Sequence, residues 1–164
     1  MTTYRKPGVN TGYLTGGGST AVFTPAAEAF SANDTMGAAA EFAYIGPANG
    51  GEVIITSASL LIAHTAVVSG ETSYLLYLYN VTPPSALASN APFDIPSGDR
   101  ASFVARIDLG TPVDLGSTLL VQTDGINKQV SVPTGGSLFG YLVTVGAFTA
   151  TAAARNVTLH SVAV

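Results

Sequence analysis

The chain has 164 residues and a net charge of −4, and its length predicts one domain that can fold without disulfides or a structural metal. It contains no cysteine, which excludes a disulfide framework, cysteine-ligated zinc and thiol catalysis. The six basic residues form no stripe for nucleic acid and no apolar run is long enough to span a bilayer, so we expect neither partner. We also expect no secretory signal, and synthesis in the cytoplasm.

Residues 1–19 are predicted to form an extended N-terminal arm. Pro7, Gly8 and the three glycines at positions 16–18 give this segment no periodicity and little apolar surface to bury. A segment of this kind is either disordered or ordered only by contact with a neighbour. We expect the rest of the chain, residues 20–164, to form a single β-sandwich domain.

From Thr20 onward, glycine and proline separate short segments rich in β-branched and aromatic residues, and this pattern predicts an all-β fold. The predicted strands cover residues 20–24, 41–45, 52–64, 74–80, 99–109, 118–123, 128–132, 137–145 and 155–163. The segments 52–64 and 74–80 are apolar on both faces, so we expect two central strands that are covered on both sides.

Alternation within two of these segments assigns side chains to faces. In the segment 52–64, one face is predicted to carry Ile54, Ala58, Leu60 and Ile62, and the other Val53, Ile55 and Leu61. The segment 99–109 alternates apolar and polar residues, which predicts an antiparallel strand with one wet face. Its apolar face is predicted to carry Ala101, Phe103, Ala105, Ile107 and Leu109.

Two connections stand out. The dipeptide Asp124-Gly125 predicts a tight turn between two strands. The proline-rich interval 81–98 is too long for a turn, and it predicts a crossover between two sheets. Eight to ten strands with one long crossover favour an antiparallel two-sheet, jelly-roll-like sandwich. An immunoglobulin-like sandwich is the alternative, although the chain has no cysteine or tryptophan to mark it.

The sequence offers few groups for catalysis. His64 and His160 are far apart, and no Gly-x-Ser-x-Gly motif is present to form a nucleophile elbow. The aspartates between positions 94 and 124 lack the close spacing of a calcium loop, and several are expected to serve as turn residues. We therefore predict no catalytic residue, no cofactor and no metal site, and no enzymatic activity, while a calcium ion at a subunit contact stays open.

The low charge is the most informative part of the composition. Charged residues make up 10% of the chain, whereas about 25% is usual in soluble domains. A subunit with permanent interfaces can have this composition because part of its surface never meets water. The alternative is a monomer with a neutral surface of serine, threonine and glycine.

Residues 75–146 contain a series of landmark segments. They are Leu78-Tyr79-Asn80-Val81-Thr82-Pro83-Pro84, Ile95-Pro96-Ser97-Gly98-Asp99-Arg100, Asp108-Leu109-Gly110-Thr111-Pro112-Val113-Asp114 and Leu138-Phe139-Gly140-Tyr141-Leu142-Val143-Thr144. This stretch resembles small structural proteins of tailed bacteriophages and is similar to jelly-roll capsid decoration (cement) proteins. The resemblance implies a virion protein that binds the outer head surface and bridges capsomers. Its implied partners are the major capsid protein and further copies of itself, often in a homotrimer.

On this hypothesis, the arm binds the capsid lattice and the strand around residues 74–79 supports the oligomer. The candidate interface residues are Tyr4, Arg5, Lys6, Tyr13, Tyr74, Tyr77 and Tyr79. Two other classes stay open. One is a tail or receptor-binding component of the virion, which would keep exposed aromatic residues for a glycan or a surface protein. The other is a carbohydrate-binding or hydrolytic β-sandwich.

Overall fold

The computed structural model describes residues 18–164. The regular secondary structure in this part of the chain consists of β-strands. The strands are β1 (Gly18–Phe23), β2 (Ala29–Phe30), β3 (Ala40–Phe42), β4 (Gly51–Ile62), β5 (Tyr74–Tyr79), β6 (Phe103–Gly110), β7 (Val113–Asp114), β8 (Leu119–Val132), β9 (Leu138–Thr144), β10 (Phe148–Thr149) and β11 (Arg155–Ala163). The prediction of an all-β fold is confirmed.

The strands form three antiparallel sheets. The five-stranded sheet has the order β1-β11-β4-β8-β7, the four-stranded sheet has the order β3-β9-β5-β6, and β10 pairs with β2. The inner faces of the two larger sheets share one apolar core, which includes Phe23 and Leu60 from one sheet and Leu76 and Ile107 from the other. This arrangement is that of a β-sandwich.

Side-chain hydrogen bonds join the two large sheets at both sides of the core. On one side the Ser19 hydroxyl of β1 donates to the backbone carbonyl of Ala43, just after β3, at 2.7 Å. On the other side the Thr123 hydroxyl of β8 donates to the carbonyl of Leu109 in β6 at 2.6 Å. Each bond satisfies a backbone acceptor at the rim of the core, so the edges of the sandwich are tied together without further strands.

Strand β4 is central in the five-stranded sheet, as predicted, but only one of its faces is covered within the described chain. The predicted grouping of its side chains is also wrong, because the strand is bulged between Ile55 and Ser57. The bulge shifts the alternation by one residue. The buried face therefore carries Val53, Ile55, Ala58, Leu60 and Ile62.

The tight turn predicted at Asp124-Gly125 is wrong. The residues before and after it both pair with β4, so β8 continues in one direction from Leu119 to Val132. Residues 125–127 form a wide bulge opposite β4, in which Gly125 and Asn127 have positive φ angles of 68° and 49°. The conformation that suits a turn is used here to insert extra residues into a strand.

The predicted crossover is also wrong, because the strands on either side of it, β5 and β6, are antiparallel neighbours in one sheet. The long connection returns to its own sheet and lies over the outer face of that sheet. Strand β5 is therefore central and covered on both sides, as predicted. A register shift opposite Leu78 and Tyr79 also turns Phe103 to the outer face, away from Ala105 and Ile107, which corrects its predicted assignment.

The structure describes the end of the predicted arm but not the rest of it. Strand β1 begins at Gly18, and Ser19 is buried, so these two residues belong to the sandwich. The candidate interface residues Tyr4, Arg5, Lys6 and Tyr13 lie outside the described residues.

Candidate functional site

The two outer faces of the sandwich differ sharply. The outer face of the four-stranded sheet is covered by residues 81–102, which we call the cover segment. Beneath it lies a second apolar cluster formed by Leu75, Tyr79, Tyr141 and Val143, with Leu87 and Phe93 of the cover segment packed against it. The rings of Tyr77 and Phe93 are in close contact, with centroids 4.0 Å apart. The cover segment thus acts as an additional layer over this sheet.

Hydrogen bonds fix the cover segment at several points. The buried carboxylate of Asp99 accepts from the backbone N–H of Ser85 at 3.0 Å and from the Ser85 hydroxyl. The hydroxyl of Tyr141, from β9, accepts from the backbone N–H of Leu87 at 2.8 Å. The Thr35 hydroxyl lies 2.5 Å from the carbonyl of Ala88, to which it donates. The Asp99 bonds close the segment on itself, and Tyr141 and Thr35 bind it to the rest of the chain, so the segment belongs to the folded domain and is not a free loop.

The outer face of the five-stranded sheet, which we call the open face, has no such cover among the described residues. Strand pairing aligns its outward side chains in rows that run across the sheet. The apolar row consists of Val22, Asn156, Leu61, Leu120 and Val113. The hydroxyl row consists of Thr20, Thr158, Ser59 and Gln122. Val22, Leu61 and Val113 are 54%, 42% and 60% exposed, which is high for apolar side chains aligned in one row.

Neither of these two rows contains a charged residue. In the described residues, the exposed charges are Glu28, Glu41, Glu52, Asp94, Arg100, Arg106, Asp108, Asp114, Asp124 and Lys128. Seven of these ten are acidic, so the rest of the surface is predominantly negative. The two rows are therefore a neutral, partly apolar strip on an acidic protein, which is the kind of surface that usually contacts another macromolecule.

The structure places the three candidate tyrosines of β5 away from the open face. Tyr74 is buried in the main core and Tyr79 in the cluster beneath the cover segment, so neither side chain reaches the surface. Tyr77 is half-buried against Phe93. The proposed interface role of Tyr77 stays a prediction, whereas burial within the chain itself accounts for Tyr74 and Tyr79.

Sequence reasoning missed the open face, although one signal was present. The outward positions of β1 and β11 are polar or apolar residues and include no aspartate, glutamate, lysine or arginine. This pattern can be recognised only when the pairing of the strands is known, because the rows join residues that are far apart in sequence.

A buried polar network lies at one end of the main core. The Tyr74 hydroxyl donates to the Glu71 carboxylate, whose other oxygen accepts from the N–H of Val68 at 3.0 Å. The Arg155 guanidinium lies 4.0 Å from the same carboxylate and donates to the carbonyl of Ala153 at 3.0 Å. Burial raises the pKa of Tyr74 far above its usual range, with Arg155 opposing the shift and Glu71 adding to it. These contacts join the start of β5 to the start of β11, which is a structural role.

An open groove of about 430 Å³ lies beside the edge strand β3. Its lining includes Phe139 of β9, Glu41 of β3, Asn80 and Thr82 after β5, and Thr134 before β9. Phe139 is partly buried and shares the groove with hydroxyl, amide and carboxylate groups and with the apolar side chains of Val81 and Pro133. A groove of this size and mixed composition can hold a small ligand.

The two histidines are far apart in sequence and lie in different surroundings. His64 Nδ1 is 2.6 Å from the backbone carbonyl of Ala66, and His160 projects from the open face. Among residues 18–164, no three histidine, aspartate or glutamate side chains are grouped closely enough to hold a metal ion. The same part of the chain has no helix long and apolar enough to cross a membrane.

Comparison with known proteins gives no family assignment. The sequence matches no protein-family model. It also matches no curated protein.

Proposed function

We propose that this protein is a structural component of a tailed-bacteriophage virion, a capsid decoration protein that binds the outer surface of the head and bridges capsomers. The observation that carries the proposal is the pair of apolar and hydroxyl rows on the open face, a neutral and partly apolar strip on an otherwise acidic domain. A protein that works by assembly needs such a surface and needs no active site. Its partners would be the major capsid protein and further copies of itself, and it would be made in the host cytoplasm.

The order of the strands supports the jelly-roll part of this proposal. Without the two-residue strands β2, β7 and β10, eight strands remain, and their order is first-eighth-third-sixth in one sheet and second-seventh-fourth-fifth in the other. The first strand thus pairs with the eighth, the second with the seventh, the third with the sixth and the fourth with the fifth. One long hairpin wound around two sheets would give these pairs, and this agreement supports the proposal of a double-sheet jelly roll.

The position of the landmark segments gives further support. Residues 75–146, which carry the resemblance to decoration proteins, supply β5, β6 and β9 of the four-stranded sheet and the whole cover segment. The same stretch also supplies β7 and β8 of the five-stranded sheet. Of the open face, β1, β4 and β11 lie outside it.

We assign contact with the capsid lattice to residues 2–17, on the basis of charge. Residues 18–164 contain ten acidic and four basic side chains, a net charge of −6, whereas the first 17 residues contain Arg5 and Lys6 and no acidic residue. A short basic segment on an acidic domain can bind an acidic neighbour to which the domain itself does not bind.

The test of the virion assignment is the copy number of this chain in purified virions, measured by quantitative mass spectrometry against the major capsid protein. A decoration protein should be present in a simple ratio to the capsid protein, with hundreds of copies in each particle. A handful of copies would indicate a tail or fibre component instead. Absence from the particle would overturn the virion assignment.

The lattice contact is tested by deleting residues 2–17, which leaves β1 and its Ser19 hydrogen bond in place. We expect the shortened chain to fold, with unchanged far-UV circular dichroism, and to lose binding to expanded heads that lack this protein. The control replaces only Arg5 and Lys6 with glutamine, which should weaken binding and reduce its dependence on salt. Binding that survives the deletion would refute the assignment of the arm.

The groove beside β3 favours a second candidate function, the recognition of a glycan by a tail or receptor-binding component. Phe139 offers an aromatic surface, and Glu41 and Asn80 offer hydrogen-bond partners. This function predicts binding to polysaccharide from the host surface that Phe139→Ala abolishes. It also predicts a low copy number, so the mass-spectrometric measurement separates the two candidates.

A further inference from the structure

We infer that the open face binds the open face of a second copy of this chain, so that the isolated protein is a two-fold symmetric dimer. The inference goes beyond the virion assignment, because it concerns the purified protein and names the surface that self-associates. It depends on three properties of the open face, which are its extent, its charge and the chemistry of its rows.

The extent of the face is of the order that a dimer needs. The four long strands β1, β11, β4 and β8 lie side by side, about 4.8 Å apart, which gives a width of about 19 Å. Strand lengths of 6 to 14 residues correspond to about 20–47 Å at roughly 3.4 Å per residue. The whole face therefore covers about 600 Å² in plan, of the order of the roughly 800 Å² that each partner buries in a standard interface, and the two neutral rows take up about 260 Å² of it.

The distribution of charge favours this face over the rest of the surface for self-association. With seven acidic and three basic residues exposed, two described domains that meet elsewhere bring predominantly negative surfaces together. The apolar and hydroxyl rows contain no charge, so two copies can pair through them without like-charge contact. Like-charge contacts in an interface cost several kcal/mol. We therefore expect a second copy to bind through the uncharged apolar and hydroxyl rows.

The chemistry of the two rows is complementary to itself. Leu61 and Val22 in the apolar row are exposed and gain by contact with apolar side chains of a partner. The hydroxyl row can both donate and accept, as Thr20 and Thr158 already do with each other at 2.7 Å. Two such faces can therefore pair through these rows without burying a charged side chain from either row.

The use of the same face by both copies determines the symmetry. A contact between identical surfaces is isologous and closes after two subunits. The protein in solution should therefore be a dimer, and not the trimer that the resemblance to decoration proteins implies. Residues 2–17 precede β1 in the chain, so deleting them leaves all four strands of the open face in place.

The experiment measures the mass of the full-length protein by sedimentation velocity over a concentration series that reaches about 100 µM. The wild-type protein should sediment with twice the chain mass of 16.6 kDa. Ser59→Asp places a charge in the hydroxyl row and should raise the dimer dissociation constant by at least about 100-fold. Thr149→Asp, an exposed position on the separate two-stranded sheet, is the matched control and should leave it unchanged.

A second variant tests the same face in case Ser59→Asp fails to fold. Leu61→Ser removes an exposed apolar side chain without adding charge, and it should weaken the dimer by about tenfold while the circular dichroism spectrum stays that of the wild type. A monomer at about 100 µM, a trimer, or a dimer that neither Ser59→Asp nor Leu61→Ser weakens would each overturn the inference. None of these results would affect the copy number of the chain in virions, so the virion assignment is tested separately.

Discussion

The two fully buried tyrosines of β5 give a sharp test of the structure, because they differ in one respect. The Tyr74 hydroxyl donates to the buried Glu71 carboxylate and accepts from Arg155 Nε at 3.4 Å. The Tyr79 hydroxyl is also buried but has no hydrogen-bond partner among the described residues. We therefore expect Tyr74→Phe and Tyr79→Phe, which remove the same atom from the same strand, to change stability in opposite directions.

The magnitudes follow from the hydrogen bonds that each change removes. Tyr74→Phe loses a bond to a charged group and leaves a buried carboxylate with one partner fewer, which should cost about 2–3 kcal/mol. Tyr79→Phe removes an unsatisfied hydroxyl and should be neutral or stabilise the fold by up to about 1 kcal/mol. Neither change opens a large cavity, because phenylalanine retains the ring, and the edge-to-face contact of residue 79 with Tyr141 should persist.

The assay is urea unfolding at pH 7, followed by circular dichroism, with the free energy of unfolding taken from the linear extrapolation. The slope of that extrapolation should be the same for both variants and the wild type, since a change in slope would mean that the compactness of one state had changed. The reasoning fails if Tyr79→Phe destabilises the protein as much as Tyr74→Phe does, because the two hydroxyls would then have equivalent partners.

Three further predictions concern pH, backbone geometry and the cover segment. Burial is the main cause of the raised pKa of both buried tyrosines, so the folded state keeps protons that the unfolded state loses. The free energy of unfolding should therefore be unaffected below about pH 9. Above about pH 10 it should fall by up to about 1.4 kcal/mol per pH unit for each tyrosine, as measured by urea unfolding across that range. In thermal unfolding, Gly70→Ala should cost about 3 kcal/mol, because at its φ of +90° the new Cβ would collide with the carbonyl oxygen of Ala147. Gly116→Ala is the control and should cost about 1 kcal/mol, because Gly116 has a φ of +99° and no atom within 4 Å of the new Cβ. Equal costs would contradict the close approach of the two loops. Asp99→Ala removes the acceptor for both hydrogen bonds from Ser85 and should lower the free energy of unfolding by about 2 kcal/mol. It should also make residues 81–102 the first site of limited proteolysis. Cleavage that begins elsewhere would show that other contacts hold the cover segment.

The positions of most strands could be predicted from the sequence, because alternation and turn residues are local signals. The strand predicted at 155–163 coincides with β11, and the one at 74–80 ends one residue beyond β5. The errors arise where the partner strand decides the conformation. A bulge in β4 inverts the predicted faces after Ile55, and the positive φ at Gly125 serves a bulge and not a turn. Neither can be read from one segment alone, since a bulge is a property of a pair of strands.

The path of the cover segment could not be predicted for a similar reason. Its prolines and its length indicate a long ordered connection, but they do not say which surface it lies on. That choice is made by Phe93 and Leu87, which find apolar partners on the outer face of their own sheet. The same contacts explain why Tyr79, one of the candidate interface residues, is buried within the chain itself. Aromatic enrichment on β5 thus indicates a second core layer as readily as an oligomer interface.

The low charge of the sequence allowed two interpretations, an assembled subunit or a monomer with a neutral surface, and the placement of charge in the fold bears on the choice. Of the ten large hydrophobic residues that are exposed in residues 18–164, Val22, Leu61 and Val113 share one row across a sheet face, an alignment from which a neutral monomer would gain nothing. A row of hydroxyl and amide side chains lies beside it, and the exposed charges lie outside both rows. On the opposite side of the sandwich the chain covers the outer face with its own residues. A fold that covers one sheet and leaves a neutral strip on the other has the surface that an assembling subunit requires.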